Sequence, residues 1–223
     1  MPRATVRGMA RDDVPAELLD LDTPQGTARA HLHLPPGAAP APGALVLGHG
    51  AGGGVGAPDL LAVTALATGL GLAVALVEQP YRVAGKRVGP RPAALDEAWS
   101  AAVAGVRDRL PGVPLVTGGR SAGARTACRT APATGAAGVL CLAFPTQPPS
   151  RPDLPSRLPE LETPQVPVLV VQGATDPYGV PPQTPGRRVV VVRGDHGLKA
   201  DLPAVTAAVR DWLPSVLPVP PAG

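Results

Sequence analysis

A serine stands between two glycines where an apolar run gives way to an alanine-rich one. Val113 to Val116 reads as a short buried strand and Ala122 to Thr130 as the start of a helix, with Gly119-Arg120-Ser121-Ala122-Gly123 between them. A serine hydroxyl is a poor nucleophile, and to act as one it must be raised into a cleft beside a base and an oxyanion site. A sharp strand-to-helix turn raises it but crowds the backbone, and glycines two residues before and two after leave room that any Cβ would fill. The Ala122 N–H then falls at a helix N-terminus, where unpaired donors favour negative charge. The competing reading is chance, because G-x-S-x-G arises easily in a chain with 27 glycines. The strand before the motif and the helix after it favour the catalytic reading.

The rest of the composition narrows the class. A chain of 223 residues suits one domain with a sizeable core. Its 31 prolines and 27 glycines approach low-complexity levels, yet the 44% of hydrophobic residues gather in spaced runs of strand length, which argues for a folded core. Net charge is +3, the only lysines are Lys86 and Lys199, and aromatic residues make up 2%. With the arginines spread along the chain and few rings to stack on bases, a nucleic-acid surface is not expected. Cys128 and Cys141 fall in segments read as helix and strand, so both are expected as buried free thiols. Met1 to Leu19 lacks an apolar core, and no apolar stretch approaches the ~18 residues that span a bilayer. A soluble cytoplasmic protein without a membrane segment is expected.

The chain divides into a lead-in over 1–13, one domain over 14–217 and a tail over 218–223. Ala16 to Asp22 and Thr27 to Leu34 read as strands around the turn sequence Thr23-Pro24-Gln25-Gly26. His31 and His33 share one strand face, either as a metal pair lacking a third ligand or as polar positions. Further strands are read at Ala44 to Leu47, Gly71 to Val77, Gly138 to Phe144, Val168 to Gln172 and Arg188 to Val192, with helices over Pro58 to Leu70, Pro92 to Leu110 and Asp201 to Leu217. Strands alternating with helices imply an α/β fold, mostly parallel, with an antiparallel N-terminal hairpin. Arg82 to Arg91 and the proline-rich Pro145 to Pro167 read as loops, the second at the rim of the cleft.

Gly48-His49-Gly50-Ala51-Gly52-Gly53-Gly54 supports two chemistries. As G-x-G-x-x-G after a strand, with Glu78 about 25 residues further on, it imitates a dinucleotide-binding turn. As an oxyanion loop, it turns the Ala51 N–H toward a nucleophile. About 40 residues and a hairpin precede it, whereas a dinucleotide fold usually opens with that strand. The oxyanion reading is therefore preferred. Strand ends in an open parallel sheet face the site, so His49, Gly50, Glu78, Tyr81, Arg120 and Tyr178 are candidates to line the cleft. The alternative for Glu78 is an ion pair with Arg82 or Arg87. Asp176, in a turn just past a strand, is placed to orient a histidine, and His196, on the loop before the last helix, is placed to be the base. Asp195 is the rival acid, but neighbouring loop residues rarely aim at each other.

The order Ser121, Asp176, His196 and the motifs around them resemble the α/β-hydrolase superfamily from about Ala16 to Leu217. The matching pieces are His49-Gly50-Ala51-Gly52-Gly53, Glu78-Gln79-Pro80-Tyr81-Arg82, Gly118 to Arg125, Gln172 to Gly179 and Gly194 to Lys199. More narrowly, the chain is similar to a small lidless branch related to the dienelactone hydrolases, which includes a subunit of a eukaryotic histone-acetyltransferase complex. Ala122 and Ala124 replace the methionine and glycine expected there, and neither cysteine stands at the elbow, where dienelactone hydrolases carry theirs. The resemblance implies acyl transfer from a small ester-type substrate to water, with Ser121 attacking, His196 taking its proton, Asp176 holding the imidazole, and the N–H groups of Ala51 and Ala122 binding the oxyanion. That chemistry needs neither metal nor organic cofactor. Arg125, one turn past Ser121, is expected to brace the elbow or the loop after Tyr81. A non-catalytic binding module on the same fold is the main alternative, and a dinucleotide-dependent reductase the remote one.

Overall fold

Thr23 and Gly26 close the first turn of the chain. Gly26 takes φ +101°, and the Thr23 hydroxyl donates to its carbonyl at 2.6 Å. The turn pairs β1 (Glu17–Thr23) with β2 (Gly26–His33) antiparallel, as the sequence predicts. The structure, a computed structural model, describes residues 16–37 and 40–219; the predicted lead-in over 1–13 and the end of the predicted tail, 220–223, lie outside these.

From there strands and helices alternate: β3 (Ala44–Gly48), α1 (Pro58–Gly69), β4 (Ala73–Glu78), α2 (Pro80–Val83), α3 (Pro92–Arg109), β5 (Leu115–Arg120), α4 (Ala122–Thr134), β6 (Gly138–Leu142), α5 (Leu158–Leu161), β7 (Val168–Gly173), β8 (Arg187–Val192) and α6 (Leu202–Trp212). The eight strands form one sheet in the order β1-β2-β4-β3-β5-β6-β7-β8. Strands β3 to β8 pair in parallel, and β2 runs antiparallel to β4.

Side chains alternate across a strand, and β3 shows how this builds two cores. Ala44 and Val46 join Trp99, Val103 and Val106 of α3 and Ala127 of α4 on one face. Leu45 and Leu47 join Leu60 and Val63 of α1 and Val205, Val209 and Trp212 of α6 on the other. Every residue of β3 is buried, as expected for a central parallel strand covered on both sides. Cys128 and Cys141 are buried free thiols with sulfurs 3.5 Å apart, and burial pushes the Cys141 thiol up.

Three elements differ from expectation. The start of the predicted Arg82 to Arg91 loop belongs to the one-turn helix α2, which Pro80 opens at a position where its missing N–H costs nothing. The Pro145 to Pro167 segment also holds a turn of helix, α5, whose Glu160 is clamped by two arginines of α4. The last helix ends at Trp212 rather than Leu217, because Pro214 cannot continue the ladder and the chain tightens into a 3-10 turn over Leu213–Ser215. No helix among the described residues is long and apolar enough to cross a membrane.

Candidate active site

Parallel strands bring the loops after β3, β5, β7 and β8 to one edge of the sheet. Among the described residues, the non-glycine residues at positive φ are Ser121, Ala143 and Leu198, each just past a strand of that edge or in a loop following one. Holding such residues there costs about 1–3 kcal/mol each, and this strain concentrates where geometry matters for function.

Ser121 has φ 53° and ψ −107° between β5 and α4, the sharp turn that the sequence predicts. Its N–H donates to the Leu142 carbonyl at 2.9 Å, and its carbonyl accepts from the Arg125 N–H at 3.2 Å. The flanking glycines are required for a reason the sequence did not name. A Cβ on Gly119 or on Gly123 would overlap the Gly48 carbonyl oxygen, so the space is taken by the end of β3 rather than by the two sides of the turn.

His196 joins the other two predicted residues. Its Nε2 lies 2.9 Å from Ser121 Oγ, and its Nδ1 lies 2.8 Å from Asp176 Oδ2. Because a carboxylate in this pairing accepts, Nδ1 carries the proton and Nε2 is free to accept from the serine hydroxyl. The Asp176 side chain is fully buried. It also accepts from Gln172 Nε2 at 2.7 Å and from the Tyr178 N–H at 2.9 Å. The Asp195 carboxylate takes the Gly197 N–H at 2.8 Å. The tight loop that carries His196 thus occupies the rival acid in its own turn.

The glycine loop after β3 packs against the serine. An added Cβ on Gly50 would lie 3.6 Å from Ser121 Cβ. His49 does not line an open cleft: it is 3% exposed and works from beneath the loop. A backbone N–H can only donate, so the Gln79 N–H, 3.2 Å from Nε2, leaves the proton on Nδ1, which donates to the Gly50 carbonyl at 2.8 Å. Burial depresses the His49 pKa. In a trans peptide the C=O and N–H point opposite ways, so anchoring the Gly50 carbonyl inward turns the Ala51 N–H outward. Tyr81, 9% exposed, donates its hydroxyl to the Ala51 carbonyl at 3.1 Å.

Arg120 reaches two ways. Its Nε lies 3.1 Å from Asp59 Oδ2 in α1, an ionic contact off hydrogen-bond alignment, and its Nη2 donates to the His196 carbonyl at 2.9 Å. Burial raises the Asp59 pKa against the pull of that guanidinium. Glu78 pairs with neither Arg82 nor Arg87: its carboxylate lies 3.1 Å from His31 Nε2, across the β2–β4 pair. This gives His31 Nε2 a carboxylate partner, and among the described residues no group of three or more candidate metal ligands is found. Arg125 braces neither the elbow nor the loop after Tyr81. It holds Glu160 of α5 bidentately at 2.6 and 2.8 Å, because one turn into α4 its side chain already faces that segment. Tyr178 does lie at the site, its ring centroid 4.5 Å from that of His196.

Sequence reasoning missed Gln172 and Asp59. Gln172 ends the run Val168-Leu-Val-Val171 fully buried, and its amide ties Asp176 to the carbonyls of Phe144 and Gly179 at 3.1 and 2.8 Å. A polar residue closing a buried strand must find partners, which was the available signal. Asp59 gave none, since an acid in a helix's first turn is ordinary.

A family model described as an alpha/beta hydrolase domain matches residues 41–201. No curated protein matches the chain. Similar solved structures include a lidless α/β serine hydrolase from Xanthomonas campestris, 21% identical over 94% of this chain and 98% of that one, with a TM-score of 0.74. A dienelactone hydrolase from Anabaena variabilis is 20% identical over 91% and 98%, with a TM-score of 0.68. An esterase from Pyrococcus furiosus is 13% identical over 97% of each chain, with a TM-score of 0.72.

Proposed function

Because the chain belongs to the α/β-hydrolase family, we propose that it is a serine hydrolase cleaving ester-type bonds (carboxylester, lactone or thioester) through an acyl-enzyme on Ser121. One observation carries the reading: a single imidazole lies within hydrogen-bond reach of both Ser121 Oγ and Asp176 Oδ2. Ser121 Oγ attacks the carbonyl carbon while its proton passes to His196 Nε2. The imidazolium, held by Asp176 through Nδ1–H, returns that proton to the leaving alcohol or thiol as the tetrahedral adduct collapses. Water, deprotonated by the same imidazole, then releases the acid. The N–H groups of Ala51 and Ala122 stabilise the oxyanion, and losing one such donor costs about 3 kcal/mol in the transition state. The dinucleotide reading loses its acid, since Glu78 is committed to His31.

Hydrolysis of p-nitrophenyl acetate tests the proposal. Slow turnover is expected, falling by at least about a thousandfold in Ser121→Ala and His196→Ala. A folded protein with no turnover above buffer, on this ester and on a matched thioester and lactone, supports the non-catalytic binding module instead.

A further inference from the structure

The mechanism above uses His196 as a cation twice per cycle, and the residue lying against that cation is Tyr178. The Tyr178 and His196 ring centroids are 4.5 Å apart with planes tilted by 41°. The backbone from which the ring projects is held on both sides. The Tyr178 N–H donates to Asp176 Oδ1 at 2.9 Å, and its carbonyl accepts from the Gln147 N–H at 3.0 Å and from the Thr146 hydroxyl. Gly179 follows at φ +87°, tight against Thr146 Oγ1, and its carbonyl takes Gln172 Nε2 at 2.8 Å. The segment after β6 and the buried amide of β7 therefore hold the backbone of the 176–179 turn from two sides, which sets the Tyr178 side chain beside the imidazole.

An aromatic face within about 6 Å of a cation attracts it through the ring quadrupole, and it does so far less for a neutral imidazole. We propose that Tyr178 is a positioning residue for the hydrolase reaction, holding the His196 ring against Asp176 and stabilising the imidazolium that forms as Ser121 gives up its proton. The inference rests on the serine-hydrolase reading. It adds a second support for the developing positive charge, on the ring's face, where Asp176 acts on its edge. Nothing in this role needs the phenol oxygen, so phenylalanine suffices at 178.

The effect belongs to the step in which the charge forms, so it is read in kcat with a smaller change in KM. Tyr178→Phe is expected within about twofold of wild type, and Tyr178→Leu about tenfold down in kcat. The decisive series replaces Tyr178 with phenylalanine carrying zero, one, two or three ring fluorines, nearly isosteric changes that progressively empty the ring face. The structure predicts that log kcat falls stepwise with fluorine count, the trifluoro ring approaching the leucine variant. A flat fluorine series overturns the proposal even if Tyr178→Leu is slow, because packing alone would then explain the leucine result. A loss confined to KM overturns it in favour of a substrate-wall role. An inactive, folded wild type overturns the hydrolase reading, and this inference with it; an active wild type with a flat series overturns only the inference.

Discussion

At the scale of the residue, the site is a set of hydrogen bonds with assigned directions. Asp176 rather than Asp195 reaches the imidazole, so Asp176→Asn is expected to lower esterase activity about a thousandfold or more by favouring the wrong tautomer. Asp195→Asn should stay within a few fold, since the amide oxygen still accepts the Gly197 N–H. Steady-state rates on one ester decide this, and the reverse ranking would move the acid to Asp195. His49 makes a pH prediction. Its pKa is depressed below the ordinary 6.5 by burial, so as pH falls the unfolded chain takes up the proton first. Stability present above pH 6.5 is therefore lost progressively as pH drops from there through the folded-state value. Protonating Nε2 also breaks the bond from the Gln79 N–H, which ties the glycine loop after β3 to the end of β4. The urea midpoint should fall further between about pH 7.5 and about pH 5 in wild type than in His49→Gln; equal falls would contradict the assignment.

Elements position these residues by crowding as much as by bonding. The end of β3 fills the inside of the serine turn, so Gly123→Ala is expected to cost about 3 kcal/mol or more, because the obstacle is backbone and cannot rotate away. Gly52→Ala is the control: nothing lies within 4 Å of the added carbon, and a change under about 0.5 kcal/mol is expected in the same denaturant titration. This contrast also marks what was legible in the sequence. That glycines must flank Ser121 followed from the strand-to-helix turn, a local argument. That Gly48 is the obstacle depends on β3 pairing with β5, a contact between segments about seventy residues apart that no local pattern encodes. The same limit explains Arg125 and Glu78. Their charges were plain, but their partners, Glu160 and His31, come from an irregular segment and from the antiparallel hairpin. Strands and long helices were readable because their period is their own. The one-turn helices α2 and α5 were not, since four residues carry no period.

Across the whole molecule, the sheet converts sequence separation into proximity. Ser121 and His196 are 75 positions apart and 2.9 Å from contact partner to contact partner. The topology explains this: β5 and β8 end at the same edge, with β6 and β7 between them. That the three side chains would share an edge was legible, because each follows a strand of a parallel series. Asp176 was preferred over Asp195 from the sequence on the local ground that neighbouring loop residues rarely aim at each other; what the sequence did not hold was the partner of the Asp195 carboxylate, the Gly197 N–H of the same turn. Whether this edge makes Ser121 a nucleophile is decided by covalent labelling with a fluorophosphonate probe followed by peptide mapping. One adduct is expected, on Ser121, absent in Ser121→Ala and nearly absent in His196→Ala. Folded wild-type protein that stays unlabelled, or that carries the adduct on another residue, would contradict it.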